Sequence, residues 1–90
     1  MNNLVSPDEL CASFADSPDK ITLRTLEDNT VLIEGSTAAL QFLGSLLLAQ
    51  AQSKTGCGFQ LSPSGAGSSL FSTLSNLGVY IHRTPCAHTQ

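Results

Sequence analysis

Three side chains near the end of the chain are of the types that bind metal ions. They are His82, Cys86 and His88, spaced as H-x3-C-x-H. Imidazole and thiolate are the ligands that zinc and copper prefer. The spacing matches no common structural zinc pattern, however, and the sequence names no fourth ligand. We therefore expect neither a metal site nor a cofactor.

Cysteine and histidine could also form a nucleophilic pair. A catalytic cysteine needs an activated thiolate and a base that a third group holds in place. Cys57 or Cys86 would have to pair with a histidine, but the pattern around Cys57 places it inward beside Phe59, as a small core residue. We expect a protein that is not an enzyme.

A run of small residues, Ser64 to Ser69, offers backbone amides that could bind an anion. It lacks the lysine of G-x-x-x-x-G-K-[ST] loops, and it does not lie between a strand and the following helix, as G-x-G-x-x-G does. The run belongs to a long connection, residues 63–78, and long connections are either functional or disordered. We interpret it as a plain loop.

Two segments are predicted to be helical. The first begins at Ser6-Pro7-Asp8-Glu9, where a capping serine, a proline and two acids mark a helix start, and it ends near Ala15. The second, over residues 37–53, has apolar residues at i, i+3 and i+4, with Ser36 as its N-cap.

Four segments have the patterns of β-strands: residues 20–26, 30–34, 57–62 and 79–83. We expect an α+β fold (β-β-α-β-β) with one four-stranded, mostly antiparallel sheet and the main helix packed on one face. This single domain covers residues 20–90, and residues 1–19 form an N-terminal extension with the short helix. The side chains expected to face the main helix are Ile21, Leu23, Val31, Ile33, Phe59, Leu61, Val79 and Ile81.

One helix covers only one side of such a sheet, so the other side is expected to be open. Five residues of that open face are candidates for binding a partner: Arg24, Glu34, Gln60, Tyr80 and His82. Tyrosine and arginine are enriched where protein interfaces are strongest. The alternative is a solvated face that binds nothing.

Composition limits the partners and the location. The 90 residues carry a net charge of −3, with Lys+Arg at 4, which is too little positive charge to bind a phosphate backbone. Only 12% of residues are charged, so self-association is plausible on physical grounds. The longest apolar stretch, residues 38–51, is shorter than the about 20 residues of a bilayer span. Three cysteines are too few for a disulfide framework, which favours a reduced, cytoplasmic protein.

Part of the chain resembles a family of small bacterial immunity proteins, which accompany toxins of polymorphic or contact-dependent systems. The resemblance lies in a strand that ends in Glu34-Gly35-Ser36, the Leu- and Ala-rich helix after it, a strand with Leu61 and Pro63, and a last strand of the type Leu77-x-Val79-x-Ile81-x-Arg83. It covers about residues 20–84. It implies an α+β domain that binds a toxin and blocks it without catalysing a reaction.

The leading hypothesis is therefore a cytoplasmic, non-enzymatic protein-binding domain of the immunity type, which occludes a toxin with the open face of its sheet. The alternative is a small structural or regulatory homo-oligomer, in which the same face meets its own copy across a two-fold axis. Neither hypothesis involves nucleic acid or a membrane.

Overall fold

The computed structural model describes residues 6–53 and 56–86. Over those residues the elements are α1 (Pro7–Ala15), β1 (Thr22–Leu26), β2 (Thr30–Glu34), α2 (Thr37–Ala51), β3 (Gly58–Leu61), a 3₁₀ helix η1 (Ser68–Leu70) and β4 (Val79–His82). The two predicted helices and the four predicted strands are present with slightly different ends. The order differs from the predicted one in that η1 stands between the last two strands.

The strands form two separate sheets, so the predicted four-stranded sheet is wrong. Among the described residues β1 pairs antiparallel with β2, and β3 pairs antiparallel with β4. The first sheet is a hairpin with a short turn; the second, which we call the β3–β4 hairpin, is an antiparallel pair joined by a long connection that contains η1. A two-stranded sheet is at best marginally stable alone, so both depend on what packs against them.

The segment after η1, residues 71–77, occupies one edge of the β1–β2 hairpin. It lies along the edge of β1 that β2 does not occupy. The Ile21 N–H donates to the Leu70 carbonyl at 3.0 Å, and the Ser72 N–H donates to the Ile21 carbonyl at 2.7 Å. Further bonds join Leu23 and Thr25 to Ser75, Asn76 and Leu77. With both edges of β1 occupied, the β3–β4 hairpin has no edge of β1 to join.

Helix α1 begins and ends as predicted. The Glu9 N–H donates to the Ser6 hydroxyl at 3.1 Å, and the Ser6 N–H donates to the Glu9 carboxylate at 3.0 Å, which together make a capping box. Near its end, Phe14 stacks on Phe42 of α2. This contact brings α1 into the same core as the rest of the chain.

The core lies where α1, α2, β1 and η1 meet. Its buried apolar residues are Phe14, Ile21, Leu23, Ala39, Phe42, Leu46, Leu61, Leu70 and Phe71. Three of the residues predicted to face inward are therefore buried, namely Ile21, Leu23 and Leu61. Three more, Phe59, Val79 and Ile81, are half-buried against this core.

Val31 and Ile33 were also predicted to face the main helix; they lie on the same face of the hairpin as the buried Leu23, but they are not buried. Their side chains are 52% and 50% exposed. The main contacts of α2 are with α1 and β4, and α2 does not cover the β2 side of the hairpin. One face of β2 is consequently left uncovered.

Candidate functional site

The five predicted partner-binding residues fall on two different hairpins. Arg24 lies opposite Leu32 and Glu34 lies opposite Thr22, so both belong to the β1–β2 hairpin. The remaining three, Gln60, Tyr80 and His82, lie on the β3–β4 hairpin. The structure therefore does not join the five into one open sheet face.

Gln60, Tyr80 and His82 share one exposed face of the β3–β4 hairpin, which we call the Tyr80 face. Gln60 lies directly opposite Tyr80, and His82 lies opposite Gly58. The rings of Tyr80 and His82 are stacked, with centroids 5.8 Å apart. The Tyr80 side chain remains 64% exposed. The opposite face of this hairpin packs against the core, so the Tyr80 face is the one available to a partner.

Because Gly58 has no side chain, it leaves the space that the Tyr80 ring occupies. A Cβ atom built on Gly58 would lie 2.9 Å from Cε1 and Cζ of Tyr80, closer than real Cβ contacts. The ring therefore lies over the glycine backbone, between Gly58 and His82. An exposed ring held in this way loses less conformational entropy on binding than a free one.

A disulfide bond closes the base of the same hairpin. It joins Cys57 to Cys86, with Cα atoms 5.6 Å apart, so these two cysteines are not the reduced thiols that the sequence led us to expect. Between them, the Arg83 N–H donates to the Cys57 carbonyl at 2.8 Å. The Arg83 guanidinium donates to the carbonyls of Gln50 and Ser53. A cation at the end of α2 is favourable to the helix dipole, so Arg83 fixes the hairpin to that helix.

Cys86, a candidate metal ligand and a candidate nucleophile in the sequence, is not a free thiol in the structure. Cys86 is bonded to Cys57, and a disulfide sulfur is not a thiolate ligand. His88 lies outside the described residues. Within residues 6–53 and 56–86, no cluster of three His, Cys, Asp or Glu side chains could hold a metal ion.

Cys11 is the free cysteine of α1, and it is half-buried. Burial raises the pKa of its thiol from 9.0 to about 11, and the nearby Asp8 carboxylate adds to the rise. A thiol with a raised pKa is mostly protonated at neutral pH, and the thiolate is the nucleophile. The environment of Cys11 is the reverse of one that activates a catalytic cysteine.

The small-residue run Ser64–Ser69 is a series of turns in which the amides of Ser64, Gly65 and Ser68 bond within the loop. The amides of Gly65 and Ser68 donate to the carbonyls of Ser62 and Gly65, and the Ser64 amide donates to the Ser62 hydroxyl. Amides used in this way are not directed at an anion.

A groove of about 250 Å³ lies between α1 and α2. Its walls are apolar or carry hydroxyl and amide groups: Leu10, Ser13, Phe14, Ser17, Ala38, Gln41, Phe42 and Ser45. No acid, base or thiol lines it. Its lining therefore includes no base that could activate the hydroxyls of Ser13, Ser17 and Ser45.

The fold and these surfaces define a small α+β domain of two helices and two hairpins, closed by a disulfide, in the part of the chain that is described. No helix in that part is long and apolar enough to cross a membrane. No protein-family model matches the chain, and neither do the curated proteins or the solved structures with which it was compared.

Proposed function

We propose that this chain is a non-enzymatic protein-binding domain and that the Tyr80 face is its contact surface. The observation that carries the proposal is the Tyr80 ring, largely exposed yet held between Gly58 and His82. Tyrosine contributes a large contact area and a hydroxyl group, and it is among the residue types that dominate binding energies. Arg24 and Glu34 belong to the other hairpin and are not part of this surface.

The chemistry of the Tyr80 face indicates the kind of partner. Gln60 and the Tyr80 hydroxyl both donate and accept hydrogen bonds, and the two rings offer apolar area. The face carries no aspartate, glutamate, lysine or arginine. It fits an uncharged protein surface with polar groups around an apolar centre, and salt would affect such a contact little.

The test is recovery of a partner from the native host with wild-type protein and two variants. Tyr80→Ala removes the ring from the face. Leu74→Ala is the matched control, because Leu74 is 70% exposed and lies outside the face. We expect the wild type and Leu74→Ala to retain the same stoichiometric partner and Tyr80→Ala to lose it at unchanged melting temperature. A partner that Tyr80→Ala retains would show that this face is not the contact.

A narrower form of this proposal is that the partner is a bacterial toxin, and the resemblance over residues 20–84 supports it. The corresponding experiment is an activity assay of the recovered partner. We expect the chain to inhibit a toxic activity in a 1:1 complex, and Tyr80→Ala to inhibit it less. Recovery of a partner without toxic activity would contradict the immunity role but not the proposal of a protein-binding domain.

The disulfide bears on where the protein works. Disulfides persist in oxidising compartments and are rare in the cytoplasm. In place of the cytoplasmic location expected from the sequence, we propose an oxidising compartment, supported by the Cys57–Cys86 bond. Thiol labelling in intact cells, followed by mass spectrometry, tests this: labelling of Cys57 and Cys86 without added reductant would contradict it.

A further inference from the structure

We propose that β2 pairs with the β2 strand of a second copy, antiparallel across a two-fold axis, to give a four-stranded sheet shared by two chains. This surface is separate from the Tyr80 face and does not depend on it. The two hairpins of one chain remain apart, and the continuous sheet arises between copies.

The outer edge of β2 is open. Its inner edge is bonded to β1, and no described residue forms a backbone hydrogen bond with its outer edge. β1 differs, because β2 lies on one side of it and residues 71–77 on the other. An open edge presents a row of unpaired N–H and C=O groups, which is a template for another strand.

The residues of β2 do nothing to block such pairing. Natural edge strands are commonly protected by proline, lysine or a bulge. β2 has the sequence Thr-Val-Leu-Ile-Glu, without proline or lysine, and its register with β1 is regular over all five residues. Three of the five are β-branched, the type that fits a pleated sheet best.

The side chains of β2 complement a second copy of themselves. In a two-fold register centred on Leu32, Val31 of one copy lies opposite Ile33 of the other. Residues directly opposite in an antiparallel pair share a face, so the two half-exposed side chains of each copy form one apolar strip. Strand pairing would cover apolar area that a single chain leaves in water.

Charge is compatible with this register. With Leu32 at the centre, Glu34 lies opposite Thr30, and no acid meets an acid. With only 12% of residues charged, the net charge of −3 opposes association weakly.

The first experiment is sedimentation of the purified chain over a wide range of concentrations. We expect a monomer–dimer equilibrium that Val31→Lys shifts about tenfold or more toward monomer, because a lysine then faces Ile33 of the other copy. Leu48→Lys is the matched control, since Leu48 is 65% exposed on α2, and it should leave the equilibrium unchanged. A wild type that stays monomeric up to its solubility limit would overturn the proposal.

The double variant V31K/I33E tests the register. Each introduced lysine then faces an introduced glutamate of the other copy, so dimerisation should recover relative to Val31→Lys. In a Cys11→Ser background, Leu32→Cys should form a disulfide-linked dimer, because directly opposite Cα atoms lie about 4.5–5.5 Å apart, within disulfide reach. A dimer that L32C does not cross-link would contradict this pairing.

The Tyr80→Ala variant separates this proposal from the proposed function. It should lose the partner and keep the monomer–dimer equilibrium, whereas Val31→Lys should do the opposite. If Tyr80→Ala also abolished the dimer, self-association would run through the Tyr80 face and the β2 proposal would be wrong.

Discussion

The rings of Phe14 and Phe42 are stacked, with an angle of 2° between their planes and centroids 4.2 Å apart. Both rings are buried, and they are the main aromatic contact between α1 and α2. Stacked rings stabilise a pair beyond the area they bury. The N-terminal helix is therefore held by the core and not by its local sequence alone.

Replacing Phe14 by alanine should lower the free energy of unfolding by about 3 kcal/mol, because a buried ring is lost and a cavity remains. Urea denaturation measures the change. Leu48→Ala, at an exposed position of α2, should change stability by less than about 0.5 kcal/mol. Equal effects of the two substitutions would mean that α1 does not pack as described.

The Ser75 hydroxyl should contribute to the stability of the fold, although Ser75 is only half-buried. It accepts from the Leu23 N–H at 3.1 Å and donates to the Ile21 carbonyl at 3.2 Å. Ser75→Ala should cost about 1–2 kcal/mol, because a half-buried amide loses its acceptor, and the Leu23 amide should exchange faster with solvent. Thr73→Ala, at an exposed site in the same segment, is the control. Unchanged exchange at Leu23 would refute the contact.

Reduction of the Cys57–Cys86 bond should lower stability by about 3–4 kcal/mol, the loop-entropy value for a sequence separation of 29 residues. The double variant C57S/C86S should melt at a correspondingly lower temperature. Cys11→Ser should melt at the same temperature as the wild type when both are oxidised, and also when both are reduced. A wild-type transition that reductant leaves unmoved would argue that the bond contributes nothing to stability.

Cys11 should react slowly with iodoacetamide at pH 8. With the pKa at about 11 in place of 9.0, the thiolate is about a hundredfold scarcer, and the greater nucleophilicity of a more basic thiolate recovers part of that, leaving a rate about tenfold lower. The reference is the same protein in denaturant with its disulfide intact. Equal rates in the two states would mean that Cys11 is not shielded.

The same pKa shift predicts a loss of stability in alkali. The folded-state pKa of Cys11 is raised, so the folded chain holds this proton more tightly than the unfolded chain does. The contribution to the free energy of unfolding is complete below pH 9.0, decreases as the pH rises, and is lost once the pH passes about 11. Cys11→Ser should show a smaller decrease over this range in urea titrations.

Gly58→Ala should displace the Tyr80 ring, because the added Cβ would overlap it. Tyr80 is the only tyrosine and the chain has no tryptophan, so intrinsic fluorescence reports on this ring alone. We expect altered quenching by acrylamide and weaker binding of the partner. Gly44→Ala, which places a methyl group in open space, should change neither. Identical quenching in both variants would mean that the ring does not rest on Gly58.

Local signals in the sequence predicted the individual elements well. The start of α1 follows from Ser6 and Glu9, whose side chains cap the helix as their spacing requires. The turn between β1 and β2 follows from Asp28 and Asn29, which adopt left-handed backbone angles that these residue types tolerate. Such features involve neighbours within a few positions of the chain.

Contacts between distant residues were not predictable in the same way. The bonds from Ser72, Ser75 and Asn76 to residues of β1 follow no periodicity in the sequence, because a hydroxyl or amide side chain can bond a backbone or side-chain group at any spacing. Their presence decides that β1 has no free edge. Likewise, three cysteines do not reveal which two are joined, and the overlap of Tyr80 with Gly58 depends on strand pairing.

The attachment of residues 71–77 to β1 also sets an order of events during folding. The bond between the Thr22 and Ser72 hydroxyls joins positions 50 residues apart, and closing so long a loop is entropically unfavourable until the rest of the core forms. While the chain is being synthesised, β1 keeps a bare edge until residue 77 has emerged. During that interval both edges of the nascent hairpin present unpaired N–H and C=O groups, and unpaired strand edges are prone to aggregation.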